Sequence, residues 1–249
     1  MQKRIIKIIS QNESRKKYIN NYNFKYQIHK RLKWMRNYTK NKKNVIEFGS
    51  GNGLSKKVIN KNIITTDINN YPFIDIIIDM NNIKLPIKFR KNIDVIIFNH
   101  SLHHSKNPIK VLKKLCKKFL KKNGYILINE PELSFFFKVF LKICNHERYD
   151  ENLNNINKKD FWYENNATGR ILFGQKKIGD KFLNNFVIIE NSIDEFLIFL
   201  NSGGNGVNSP HIKLNKLLLN MVNIFDNVLS KLFPRIFGLN RRVVLKKIY

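Results

Sequence analysis

The spacing of apolar residues changes several times along this chain, and the changes divide it. Over residues 1–43 the sequence is polar and basic, with Tyr18, Tyr22, Tyr26, Leu32, Trp34 and Met35 at helical intervals. That spacing predicts one or two amphipathic helices packed on something larger. From Asn44 the pattern becomes short runs that are apolar on both faces: 44–48, 62–67, 74–79, 92–99 and 125–130. A helix is predicted from about Pro108 to Lys121, with Val111, Leu112, Leu115, Phe119 and Leu120 on one face and Gly124 as its stop. Strands buried on both faces and alternating with helices predict a parallel sheet covered on two sides. Residues 132–185 read as an insertion, apolar over 133–143 and polar over 145–159, which then carries Phe161-Trp162-Tyr163 and Arg170–Gly174. In the last part, 186–249, a sixth strand is expected at 186–190, a long helix at 213–233 and a seventh strand at 242–246. No internal repeat is visible, and a single domain accounts for 1–249.

Composition narrows the class. With 43% hydrophobic and 12% aromatic residues in 249, the chain can bury a core and is not disordered. Two cysteines, Cys116 and Cys144, exclude a disulfide framework or a Cys-rich zinc module and suit a reducing compartment. No metal-ligating pattern stands out. Apolar runs fall far short of the ~18 residues of a spanning helix, and Met1–Lys7 lacks the features of a secretory signal. A soluble cytoplasmic protein is therefore expected. The net charge of +28 invites a nucleic-acid or anionic-membrane partner. However, Lys, Asn and Ile dominate together, Ala167 is the single alanine, and the lysines are spread throughout. That joint bias is what A/T-rich codons impose, so charge alone says little about partners.

The informative segment is Val45–Gly53. A buried strand runs into Gly49-Ser50-Gly51-Asn52-Gly53, where missing side chains let a ligand approach the backbone. Glu47 precedes the first glycine by two residues, Asp67 closes the second strand and Asp79 the third. At such strand ends ligands bind in open α/β sheets. A dinucleotide fingerprint needs Gly-x-Gly-x-x-Gly, but here Gly53 comes one residue early.

With Thr66-Asp67-Ile68, Ile78-Asp79-Met80, Leu85-Pro86, Asp94–His104 and Leu120–Ile128 following in order, the chain resembles a class I S-adenosylmethionine-dependent methyltransferase over roughly residues 40–132. The resemblance implies a three-layer α/β sandwich with a seven-stranded, mostly parallel Rossmann-like sheet whose last strand is antiparallel. It also implies S-adenosyl-L-methionine as cofactor, a cofactor-binding core at 44–131, and roles for particular residues. Gly49, Ser50, Gly51 and Gly53 would let the loop pass beneath the cofactor, and Glu47 would hold its ammonium directly or through water. Asp67 would take the ribose hydroxyls with Ile68 on the adenine face, and Asp79 and the Met80 backbone would read the adenine edge. Asn99 and His100 would border the sulfonium and the acceptor. Glu47 in place of a frequent Asp, and Lys122-Asn123-Gly124 in place of a Lys-Pro-Gly-Gly turn, depart from the family pattern. The tail is loosely similar to methyltransferases of surface-polysaccharide and lipid pathways.

For an oxygen or nitrogen acceptor, histidine suits proton removal near neutral pH. His100 and His104 are the leading candidates; His103, Glu130 and Glu132 rank behind them. The turn Asn99-His100-Ser101-Leu102 lacks the Pro-Pro-aromatic sequence that flanks a flipped base, which argues against base N-methylation. The aromatic insertion is either a lid over the acceptor or a peripheral packing element. The 213–233 helix, apolar at Leu217, Leu218, Met221 and Phe225, is expected to pack into the core; its basic residues Lys213, Lys216 and Lys231 make a peripheral membrane contact the second reading. The favoured function is O-methylation of a small-molecule or glycan substrate. An RNA or protein methyltransferase and a catalytically silent binding protein are the alternatives.

Overall fold

A computed structural model describes residues 10–144, 147–175, 183–206 and 208–248; Met1–Lys7 lie outside them. Seven strands form one sheet in the order β3-β2-β1-β4-β5-β7-β6. They are β1 (Val45–Phe48), β2 (Ile64–Asp67), β3 (Ile76–Ile77), β4 (Ile93–Asn99), β5 (Leu120–Pro131), β6 (Phe186–Asp194) and β7 (Asn240–Lys247). The first five pair in parallel, and β7 runs antiparallel between β5 and β6. Order reverses between β1 and β4, the place where such sheets bind ligands.

Alternation along the strands divides the interior. Ile46, Phe48, Ile96, Phe98, Ile126 and Ile128 enter one apolar core, together with Val111, Leu112 and Leu115 of α3 (Pro108–Lys118). Val45, Val95, Ile97 and Leu127 point the other way. There they meet Tyr18 of α1 (Gln11–Asn20) and Phe24, Ile28 and Leu32 of α2 (Tyr22–Leu32). The expected three-layer sandwich is present, and the N-terminal segment supplies part of one layer. Ser10 and Glu13 make a capping box that starts α1; Asn21 ends that helix with its backbone N–H on the Lys17 carbonyl and caps α2 with its side chain, which accepts the Phe24 N–H.

Several boundaries move. The third strand shrinks to two residues, and α3 ends at Lys118 instead of near Lys121. β5 begins at Leu120, with a register irregularity opposite Ile93/Val95; Asn123 takes the left-handed turn ahead of Gly124. In the insertion, α4 spans Phe135–Cys144, and Phe161 and Trp162 are core residues.

The long helix corrects an expectation. α5 (Lys216–Leu232) does not bury its apolar face: Leu217, Met221, Ile224, Phe225 and Leu232 are exposed, while Asp226 and Ser230 are buried. The cause is polar. Asp226 Oδ1 accepts the N–H groups of Phe196 and Leu197 at 2.8 and 2.7 Å, and its Oδ2 meets Lys30 Nζ at 2.7 Å. A buried carboxylate with three donors fixes the rotation of the helix, because turning it outward would strand those donors. A short helix, α6 (Pro234–Phe237), follows. Among the described residues no helix is long and apolar enough to cross a membrane.

Candidate active site

A cavity of about 390 Å³ opens at the carboxyl ends of β1, β2 and β4, lined by Gly49–Asn52, Asp67–Asn69, Asp79–Asn81 and Asn99–Ser101 among others. The glycine loop is shaped by close approach. Gly49 has φ +65°, and a Cβ there would lie 2.6 Å from Ser101 Cβ; Gly51 has φ +49°. Ser101 Oγ donates to the Phe48 carbonyl at 2.7 Å, binding the turn after β4 to the end of β1.

Asp67 and Asp79 both face the cavity and both serve the local chain. Asp67 Oδ2 accepts the Gly51 N–H at 2.9 Å, and its Oδ1 accepts the Asn69 N–H at 3.0 Å. Asp79 Oδ1 accepts the Asn81 N–H at 2.8 Å and caps the turn at 80–82. Each carboxylate therefore has fixed geometry before any ligand arrives. Ile68 lies exposed beside Asp67, and Met80 lines the wall.

Two of the expected residues do not line the cavity. Glu47 is buried behind the loop, where its carboxylate accepts from Ser55 Oγ. Burial, with the Asp67 charge adding to it, pushes its pKa up to about 7 against the opposing hydrogen bonds from Ser55 and Ser50. Gly53 faces Phe73, whose Cδ2 would lie 3.0 Å from a Cβ at that position.

The histidine turn separates its three members. His100 closes β4 with φ +52°, an uncommon conformation for a side-chain-bearing residue, and its N–H donates to the Asn129 carbonyl at 2.8 Å. His100 Nε2 lies 3.0 Å from Asn240 Oδ1, while Asn240 Nδ2 donates to Asp194 Oδ1 at 2.8 Å. With its oxygen turned to His100, Asn240 selects the tautomer carrying hydrogen on Nε2, which leaves a lone pair on Nδ1. Burial first, then the charges of Arg31 and His103, hold the His100 pKa well below the usual imidazole value.

His103 is buried and paired. Its Nδ1 donates to Glu130 Oε2 at 2.6 Å, and Nε2 lies 3.5 Å from Glu147 Oε2. Burial opposes its charge, but the two carboxylates prevail and raise the pKa to about 10. Glu130 Oε1 also accepts the Ser101 and Leu102 N–H groups at 3.1 and 2.8 Å, so this carboxylate builds the turn. Glu132 is likewise engaged, with Arg241 at 2.6 Å. His104 lines the cavity, and burial followed by the His103 charge lowers its pKa. His103, His104 and Glu147 place three ligand atoms within 4.8 Å of one another. An imidazolium at His103 accounts for that convergence as an ion-pair cluster.

The rest of the wall comes from far away in sequence. Gln11 from α1, Tyr163 from the insertion and Asn205 from the loop before α5 all line the cavity. α1 is tied to the glycine loop, because Arg15 Nη1 donates to the Asn52 carbonyl at 2.7 Å and Asn52 Nδ2 to Ser14 Oγ at 3.0 Å. No motif marks these residues. The nearest signal was the helical spacing of residues 18–35, which announces packing but not a ligand.

Comparison with known proteins agrees with this geometry. A family model described as a methyltransferase domain matches residues 20–180, well over half of the chain. The fold is shared with a SAM-dependent methyltransferase from Archaeoglobus fulgidus, at TM-score 0.53 and 17% identity over 89% of this chain and 94% of that one. It is also shared with the plantazolicin methyltransferase BpumL in complex with a triazolic desmethylPZN analog and SAH, at TM-score 0.50 and 16% identity, covering 96% and 91%. No curated protein sequence matches the chain.

Proposed function

The chain belongs to the S-adenosylmethionine-dependent methyltransferases, and on that premise we propose that it methylates a hydroxyl of a small-molecule or glycan acceptor, with His100 receiving the proton. The residues present fit the cofactor: Gly49 lets the loop pass close against Ser101 beside an open cavity of about 390 Å³, and two prepositioned carboxylates face that cavity. S-adenosylmethionine supplies a methyl group already activated on a sulfonium, so the protein's tasks are alignment, exclusion of water and handling of one proton.

In this reading Gly49, Ser50, Gly51 and Gly53 keep the loop low beneath the cofactor. Asp67 accepts from the ribose hydroxyls, and Ile68 covers one adenine face. Asp79 accepts from the adenine amine, with the Met80 backbone beside it. Glu47, buried behind the loop and held by Ser55, would act on the ammonium through water and not directly. Asn99 is held by Asn129 Nδ2 at 3.3 Å and borders the reacting atoms with His100.

The observation that carries the base assignment is the neutral His100 ring on the cavity wall, with its tautomer fixed by Asn240. A hydroxyl loses its proton to Nδ1 as its oxygen takes the methyl group. His103 is a poor base, since it already holds its proton. His104 is the second candidate because it is neutral and lines the same wall.

Labelled cofactor screened against nucleotide-sugars, phenols and tRNA identifies the acceptor. Single-turnover kinetics then test the base. His100→Ala should slow the chemical step by roughly 10²–10⁴-fold, with affinity for the demethylated product almost unchanged. Near wild-type rates in both His100→Ala and His104→Ala from about pH 6 to 9 would overturn the assignment. Label appearing on tRNA alone would overturn the acceptor class.

A further inference from the structure

The outward face of α5 does something that neither the fold nor the cavity requires. Leu217 and Phe225 are each 68% exposed and Ile224 64%, at intervals that place them on one stripe with Met221 and Leu232. The polar face of the helix is turned inward on Asp226, so the exposed stripe is held there by the interior. The stripe continues through Phe233, which packs edge-on against Phe237 of α6, and Phe237 stacks on Phe136 of α4 at 5.4 Å. Monomers in water rarely present a continuous apolar surface of this extent.

The apolar stripe, together with the charges that border it, points to the occupant. Lys213, Lys216, Lys231 and Arg235 are exposed along the helix and its flanks. From Pro210 to Phe237 the sequence carries one acidic residue, Asp226, and it is buried on Lys30. A second copy of a +28 chain would bring a like-charged rim against this one, which disfavours self-association. An apolar stripe bordered by cations, with no acidic side chain between them, matches the acyl and headgroup layers of an anionic bilayer. We propose that α5 and α6 dock this protein on the surface of an anionic lipid membrane, lying in the interface without spanning it.

The test is co-sedimentation of the full chain with vesicles of equal parts phosphatidylglycerol and phosphatidylcholine, and with phosphatidylcholine alone. The wild type should pellet with the mixed vesicles, release as salt is raised, and stay in solution with the neutral ones. The pair Ile224→Ser and Phe225→Ser changes exposed side chains and should lower binding about tenfold or more, with circular dichroism and product affinity unchanged. Lys213→Glu with Lys216→Glu should weaken binding to the mixed vesicles. Three results would each overturn the proposal: no pelleting with either vesicle, mixed-vesicle binding that the serine pair leaves intact, or a wild-type dimer in sedimentation equilibrium that the serine pair dissociates.

Discussion

Removing the Asp67 carboxylate should damage two things at once, and the structure allows them to be separated. Asp67→Ala deprives the Gly51 N–H of its acceptor at 2.9 Å and the Asn69 N–H of its acceptor at 3.0 Å. Asn69 is exposed and its N–H can turn to water, whereas Gly51 is partly buried under Gln11. One charge-assisted bond is therefore lost with incomplete compensation, so unfolding in urea should be about 1–3 kcal/mol easier. Cofactor binding loses a further acceptor for the ribose hydroxyls, worth about 1.5–3 kcal/mol, which is roughly a tenfold to 150-fold rise in Kd. Calorimetry with the demethylated product at saturating folded protein reads the second effect apart from the first. Asp67→Asn is the control: its amide oxygen can still accept one loop N–H, so most stability should return while affinity stays reduced. Wild-type affinity in Asp67→Ala would reject the placement of the cofactor beside Asp67.

Two further outcomes follow from the geometry. Gly49→Ala adds a methyl 2.6 Å from Ser101 Cβ at φ +65°; left-handed strain and overpacking together should cost about 2–5 kcal/mol in urea unfolding, and an unchanged midpoint would refute the close approach. The His103 imidazolium, with its pKa raised to about 10 by Glu130 and Glu147, contributes stability that is fully present below its unfolded pKa of about 6.5 and is lost as pH rises through about 10. Thermal midpoints measured across that window should fall less steeply in Glu130→Gln than in the wild type, and parallel curves would contradict the ion pair.

Much of the cavity wall at the ends of the first strands was legible because its signals are local. A buried strand ending in glycines, and acidic residues at the next two strand ends, each report on a few neighbouring residues. Periodicity gave the sheet faces for the same reason, since alternation along β1 and β4 needs no partner to be read. Other features depend on partners distant in sequence. The apolar stripe of α5 looked like a core stripe, and only the three donors gathered by Asp226 show that it faces outward. Of the Phe161-Trp162-Tyr163 run, only Tyr163 reaches the cavity, a division set by packing that the run itself does not encode. Glu47 shares a strand with the loop it precedes, yet its carboxylate turns to Ser55 behind that loop. The histidines show the limit most clearly. Three lie within five positions, but burial and the neighbouring charges decide each one differently: Glu130 and Glu147 keep His103 protonated, while burial with Arg31 and His103 keeps His100 neutral and burial with His103 keeps His104 neutral.

The strap from α1 across the glycine loop has a consequence for how this protein is made. Arg15 and Ser14 hold Asn52, and the next turn of the same helix sends Lys17 Nζ to the carbonyls of Gly203 and Gly204, contacts spanning 186 and 187 positions of sequence. One wall of the cavity therefore exists only after residues near the start have met residues near 205. Closing such a loop is slow and must precede any reward from the contacts it makes. The glycine loop and the segment at 203–205 lie far apart in sequence, so the cavity is complete only once the chain has been made past residue 205. A ligand that touches both walls would gain its full contacts only in a molecule that has already brought these distant segments together.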